Sequence, residues 1–215
     1  MAKPKDIVME KMALRVCDEL SKRNIKGIFV KTSAEARKMI RKMIPKGAKV
    51  GLGGSTTLSD SGIIDELRSM EINLLDRYKE GVTPEEINRM RYEGLSSDVF
   101  IASTNAITLK GELINADGMG NRVASIIFGP SKVILVTGVN KIVKNLQDGF
   151  ERIYLTAAPM NSIRFNAKTP CAETGLCEEE TCYPPKRICN IFTIIEGQPV
   201  PGRLCVIIIN EILGF

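Results

Sequence analysis

Four cysteines within nineteen residues, Cys171, Cys177, Cys182 and Cys189, are the densest set of chemically capable side chains in this sequence. Four thiolates suit either zinc or an iron–sulfur cluster, since both accept ligation by four cysteines. Zinc knuckles usually present Cys-x2-Cys pairs, and the intervals here are five, four and six residues, so the spacing leans toward iron–sulfur. Two structural disulfides, of the kind intracellular proteins of hyperthermophiles tolerate, and plain buried thiols are the alternatives. Residues 170–190 contain few large apolar groups. Burial cannot order them, so a metal or covalent link must offset a conformational entropy of ~1–2 kcal/mol per fixed residue. Cys17 and Cys205 lie in apolar helix and strand contexts and read as core.

The sequence has no histidine. That removes His-based triads, His acid–base work and His metal ligation together. Carboxylates, Lys, Ser/Thr, Tyr, Cys or a bound cofactor must do any chemistry. Three glycine-rich and polar loops gather such groups. The first reads VGLGGSTTL over 50–58, with Gly51, Gly53 and Gly54 after an apolar run and Ser55, Thr56 and Thr57 before a helical segment. A strand, a glycine loop and a helix start form an anion site through converging N–H groups and the helix dipole. As a dinucleotide fingerprint the loop is poor, because the third glycine position falls on Thr56, and no Gly-Lys-Ser/Thr follows as in a Walker loop. A tight turn without a ligand is the alternative.

The second loop, NADGMGNR over 115–122, supplies Asp117, Gly118, Asn121 and Arg122. The third, TGVNK over 137–141, supplies Gly138, Asn140 and Lys141. Each follows a strand and precedes a helix, and in an open α/β sheet such loops converge outside the carboxyl ends of the strands. In that cleft Asp117, helped by Glu112, is the acid–base candidate, while Arg122 and Lys141 neutralise a small anionic substrate. An ordinary Asp-Gly turn and solvated surface charges are the alternatives.

The elements that must position these loops follow from periodicity. Helical spacing predicts helices over 5–23, from Thr32 to Met43, through Ile63–Leu67, from Thr83 to about Tyr92, over 121–128 and over 140–154; Thr32/Glu35 and Thr83/Glu86 are capping-box pairs. Strands are expected at 28–30, 49–52, 72–75, 98–102, 132–137, 191–195 and 204–209, with a hairpin over 106–115. Alternating strands and helices imply an α/β fold with a mainly parallel, Rossmann-like sheet covered on both faces. Residues 1–169 form that domain, and 170–215 add a cysteine-rich loop and two strands packed on it. With 215 residues, 44% hydrophobic and 26% charged, the chain has an ordinary globular composition. The net charge of +5 is spread along the chain, which argues against nucleic acid as a partner. No run has the length of a signal-peptide core or a membrane span, so a cytoplasmic location without membrane association is expected.

VGLGGSTTL, LINADGMGNRVAS, VILVTGVNKIV and AAPMNSIRFNAKTPC, in that order, resemble the LUD-domain family of small lactate-utilisation-type proteins, once grouped as a domain of unknown function. The similarity spans about residues 5–195. That family is similar in fold to the sugar-isomerase and CoA-transferase superfamily, which includes ribose-5-phosphate isomerase and glucosamine-6-phosphate deaminase. The resemblance implies that the loop matching Gly51 to Thr57 holds a phosphate or CoA portion, and that the loop matching Asp117 lies near the reacting carbon. It also implies a link to oxidation of lactate to pyruvate alongside iron–sulfur partner proteins. Small members carry a similar cysteine-rich tail with the two middle cysteines closer together; the Cys177-Glu-Glu-Glu-Thr-Cys182 interval departs from it, which bears on cluster geometry.

Two functions are therefore expected to compete. One is a redox enzyme or accessory, or an isomerase- or transferase-like enzyme, that binds a small carboxylate or phosphorylated substrate, with electrons carried by a cysteine-bound centre. The other is a non-catalytic binding or redox-regulatory module with a metal or disulfide staple. A homo-oligomer is compatible with either.

Overall fold

The computed structural model describes residues 3–215, and of Glu179 the backbone only. In chain order, α1 (Pro4–Lys22), β1 (Lys26–Val30), α2 (Ser33–Met43) and β2 (Lys49–Leu52) lead to the glycine loop. After it come α3 (Thr56–Asp60), α4 (Ile63–Arg68), β3 (Asn73–Leu74), α5 (Pro84–Gly94) and β4 (Val99–Ala102). Then follow β5 (Ala106–Thr108), β6 (Leu113–Asp117), α6 (Asn121–Ile127), β7 (Lys132–Gly138), β8 (Ile142–Val143), α7 (Leu146–Arg152) and α8 (Ala158–Arg164). The chain closes with α9 (Pro170–Thr174), β9 (Ile191–Ile195) and β10 (Leu204–Ile209).

Six strands form one parallel sheet in the order β1-β10-β7-β4-β2-β3. β10 lies between β1 and β7 and is buried along its whole length, as a strand covered on both faces must be. Its alternate side chains divide between two cores. Cys205, Ile207 and Ile209 join Ile134 and Val136 beneath α2, α3 and α4. Leu204, Val206 and Ile208 join Val133 and Leu135 beneath α1 and α6. α1 turns Ala13, Val16 and Leu20 inward, at the three-and-four spacing of one helix face. It approaches β1 so closely that a Cβ on Gly27 would stand 2.6 Å from the Cys17 Cα.

The 106–115 hairpin forms, with β5 antiparallel to β6, and it belongs to a second sheet of order β8-β5-β6-β9. Ile107 and Leu113 of this sheet face the main core, whereas Ala106 and Ile114 face Ile153 and Ala158. The two C-terminal strands thus enter different sheets. The single helix expected over 140–154 is replaced by a 3₁₀ turn, strand β8, and α7 running through a π-turn at Ile153–Ala157 into α8. The physical cause is local. Ile142 and Val143 are β-branched and pair with β5, and Asn145 starts the helix by accepting from the Asp148 N–H at 3.0 Å. Pro159 follows the π-turn and has no N–H to return to the preceding turn. Among the described residues no helix is long and apolar enough to cross a membrane.

Candidate functional site

The carboxyl ends of β2, β4, β6 and β7 open onto one cavity of about 290 Å³, where an open α/β sheet places its ligands. The three loops singled out by sequence all reach it: Gly54, Ser55, Thr56 and Thr57 from the first, Asp117, Gly118, Asn121 and Arg122 from the second, and Lys141 from the third.

Their roles differ from those their residue types suggest. Arg122 is 8% exposed and spends all five guanidinium donors on the protein. Nε meets Asp117 Oδ1 at 2.9 Å; Nη1 meets Ser103 O and Asn115 Oδ1, both at 2.8 Å; Nη2 meets Asn105 Oδ1 and Ala116 O, both at 2.9 Å. Asp117 is engaged at both oxygens, since its Oδ2 also accepts from the backbone N–H groups of Arg122 and Val123 at 3.1 Å. The pair ties β6 to the start of α6 and adds its charges to the cavity wall. Gly53 lies behind it: a Cβ there would stand 2.8 Å from the Ala102 Cβ and 3.1 Å from the Arg122 Cγ. Gly51 is close-packed in the same way, with Phe100 Cδ2 at 2.8 Å.

In the glycine loop, Ser55 caps α3 by accepting from the Leu58 N–H at 3.3 Å. Its own N–H donates to the Tyr78 hydroxyl at 2.7 Å, and that hydroxyl donates to Gly53 O at 3.2 Å. α3 is a single turn of five residues, so little dipole stands behind the loop. Thr56 Oγ1 is buried in the cavity wall without a hydrogen-bond partner. Thr57 Oγ1 accepts from Lys141 Nζ at 2.8 Å. Lys141 is 3% exposed, and its Nζ also reaches Ser103 Oγ at 3.1 Å and Thr104 O at 3.4 Å. Burial first, then the nearby charges of Arg152 and Arg122, push its ammonium down to about 7, with Asp60 opposing.

Three other expected site residues stand apart from the cavity. Glu112 sits at the turn before β6, accepting from the Thr108 hydroxyl at 2.5 Å and pairing with Arg23 of the α1 end at 3.8 Å. The Asn140 amide holds the 213–214 backbone, with its Oδ1 accepting from the Leu213 N–H at 3.1 Å. A Cβ on the neighbouring Gly138 would stand 2.5 Å from Glu211 O, so both serve the packing of the 211–214 segment.

Sequence reasoning missed three cations. Arg77, Arg91 and Arg164 line the cavity, and none forms an ion pair among the described residues. Arg77 lies over the glycine loop, 3.8 Å from where a Gly54 Cβ would stand. Burial lowers its guanidinium, and Arg91 and Arg164 add to the lowering against Tyr78 and Asp117. Arg91 Nε is buried without a hydrogen-bond partner. Arg164 stacks 4.0 Å from the centroid of Phe165 and bonds Asn161 Oδ1. The only carboxylate side chain in the lining, among the described residues, is Asp117, already bound to Arg122. Arg77 lies three residues beyond the end of β3, so the strand-end rule that selected the other loops also reaches it; Arg91 on α5 and Arg164 on α8 carry no local signal.

Cys171, Cys177, Cys182 and Cys189 line a second, smaller cavity of about 10 Å³, and Cys189 lines both cavities. Cys171, Cys182 and Cys189 are free thiols. Cys171 Sγ contacts Ser162 Oγ at 3.4 Å and Thr169 Oγ1 at 3.3 Å. Burial pushes the Cys189 thiol up, with Arg187 opposing. Among the described residues no group of three or more Cys, Asp or Glu stands in the arrangement of a metal site.

A sequence profile described as the LUD domain matches residues 14–209. The structure is similar to that of a DUF162 family protein from Deinococcus radiodurans, at 14% identity and a TM-score of 0.53, covering 94% of this chain and 98% of that one. That likeness shows a shared fold. It is also similar, over 54% of this chain and 44% of the other, to eIF2B beta from Chaetomium thermophilum, at 13% identity and a TM-score of 0.37. Ribose 5-phosphate isomerase from Plasmodium falciparum matches over 53% of this chain and 52% of that one, at 18% identity and a TM-score of 0.34. No curated protein matches this sequence.

Proposed function

The chain belongs to the LUD-domain family, and on that premise we propose that it binds a small carboxylate or phosphorylated compound in the cavity at the carboxyl ends of its parallel strands. One observation carries this reading. Arg77, Arg91 and Arg164 face a cavity whose sole side-chain carboxylate, among the described residues, is bound elsewhere. Guanidinium groups brought together against their own repulsion, with an Nε left unpartnered, are stabilised when an anion takes up the free donors. Thr56 Oγ1 adds a hydroxyl without a partner. A lactate-type 2-hydroxy acid, or its 2-oxo counterpart, suits this set: a carboxylate for a guanidinium fork and a neighbouring oxygen for a hydroxyl. In that role the protein is an enzyme or accessory of 2-hydroxy acid oxidation that works beside iron–sulfur partner proteins. The reading predicts that phosphate or lactate raises the melting temperature, whereas chloride at equal ionic strength does not. Equal response to all three salts would overturn it.

The shared cysteine cavity favours a second, compatible reading, a metal staple in a module of this fold. Its volume of about 10 Å³ is close to one water-sized sphere, which fits a single ion better than a multi-iron cluster. Zinc held by Cys171, Cys177, Cys182 and Cys189 would tie the 170–190 segment down. Metal analysis of protein purified without chelators tests it: about one zinc per chain is expected, and a metal-free protein with four titratable thiols in this segment rules it out.

A further inference from the structure

Lys141 has surroundings that a structural lysine does not need. A buried lysine is ordinarily matched by a carboxylate. Lys141 forms no ion pair among the described residues; its partners are two hydroxyls, Thr57 Oγ1 and Ser103 Oγ, and the Thr104 carbonyl. The charged groups that act on it are Arg152 of α7, Arg122 of α6 and Asp60 of α3, two cations against one anion. The amine stands in the wall of the same cavity that holds the unpaired guanidinium groups. Asp117, the carboxylate that residue type and position nominate for chemistry, has its oxygens committed to Arg122 and Val123.

We infer that Lys141 is a nucleophile that condenses with the carbonyl group of an anionic oxo compound, of which 2-oxo acids are the smallest class. This rests on the anion-binding reading, because the guanidinium groups must hold the carboxylate while the carbonyl carbon meets Nζ. The neutral amine attacks that carbon through its lone pair, and a C–N bond forms as the carbonyl π pair moves to oxygen, which takes up one of the two protons of the now cationic nitrogen. The carbinolamine then loses its hydroxyl as water, with the proton coming from nitrogen, and leaves an imine. One water is released for each imine formed, and no electrons are exchanged. The surroundings favour each stage. Burial and the excess of positive charge keep a large share of the amine unprotonated near neutrality. Loss of one proton removes one donor, and the contact to Thr104 O at 3.4 Å is the weakest of the three, so the two hydroxyl contacts still hold the amine in place.

The test is reductive trapping with glyoxylate or pyruvate and cyanoborohydride on the full chain, followed by peptide mass mapping. Near neutral pH an amine titrating at about 7 is about half free, whereas an ordinary lysine is less than about a thousandth free. Lys141 is therefore expected to label on the order of a thousandfold faster than other lysines. Its labelling should rise as pH passes through about 7 and should be suppressed by inorganic phosphate. Labelling spread evenly over the lysines, or none at Lys141, overturns the inference. Calorimetric titration of inorganic phosphate into the same sample separates the two failures: phosphate that binds while Lys141 stays unlabelled removes only the imine, and phosphate that does not bind removes the anion site beneath it. The labelling map is read on the unaltered protein, so the test stands even if Lys141→Arg fails to fold.

Discussion

The strand-end cavity and the cysteine cavity share Cys189, Ala158 and Ile188, yet they are built in opposite ways. The first is walled largely by side chains issuing from the ends of β2, β4, β6 and β7, and its inner ion pair is fixed by bonds to four backbone groups in three places. The second is walled by an irregular segment with one short helix and a 3₁₀ turn, and one of its buried thiols, Cys171, meets the hydroxyls of Ser162 and Thr169. A sheet can hold unpaired charge in place without a ligand, because backbone pairing bears the cost. A loop of small and polar residues has no such frame and is held by side-chain contacts, to which the zinc proposed above would add. The difference teaches that backbone pairing frames the strand-end cavity, whereas side-chain contacts frame the cysteine cavity.

Arg122→Ala should do the most damage. It strands buried Asp117 and orphans the carbonyls of Ser103 and Ala116, at an expected cost of ~3–5 kcal/mol in urea unfolding. A small loss would mean that the ion pair is not the frame of the cavity. The cations without ion pairs should behave in the contrary way. Arg77→Ala with Arg91→Ala is expected to leave stability within ~0.5 kcal/mol while weakening anion binding by ~1.5–3 kcal/mol for each charged hydrogen bond lost. Unfolding curves measured beside ligand titrations check both halves.

Gly53→Val probes the junction between frame and ligand. Its side chain would press on Ala102 and the Arg122 stem, costing ~1–3 kcal/mol and displacing the guanidinium. Unchanged unfolding and binding would show that the loop yields freely. For the second cavity, Cys182→Ser should lower the melting temperature of zinc-loaded protein and leave chelator-treated protein nearly unaffected; equal shifts in both would break the contrast between the regions.

A last contrast is read in the pH dependence of stability. Lys141 has a folded value of about 7 against an ordinary 10.5, so between these limits the unfolded chain binds the additional proton and stability rises with pH. Below about 7 the penalty for burying the ammonium is fully present. Lys141→Met should therefore stabilise most in acid, with an advantage that fades toward pH ~10; urea unfolding at about pH 6 and about pH 9.5 would show it. A difference independent of pH would mean that Lys141 is not titrating in this window.

The main sheet was legible because its strands are continuous apolar runs bounded by turn residues, and both capping boxes marked their helices. In the structure Thr32 accepts from Glu35 N and Thr83 from Glu86 N. Of the second sheet, the hairpin and the 191–195 strand were legible, but not their assembly into a sheet. β8 has only two residues, and its pairing with β5 is a long-range choice that no local period encodes. The site divides similarly. Loops at strand ends identified Thr56, Asp117, Arg122 and Lys141 as cavity residues, but residue type alone cannot tell a saturated guanidinium from a free one. Arg122 looked like a ligand-binding cation and proved to be fully engaged, whereas Arg91 and Arg164 reach the cavity from helices whose sequence position says nothing of it. Glu112 was misplaced because a carboxylate before β6 lies at the opposite end of that strand from Asp117.

The claim that the strand-end cavity binds an anion through its free guanidinium groups is tested most directly by calorimetric titration of lactate and inorganic phosphate into the unaltered protein and the Arg77→Ala/Arg91→Ala variant. Saturable binding at one site per chain is predicted in the first, and a loss of at least about tenfold in affinity in the second. Equal affinity in both proteins would contradict it.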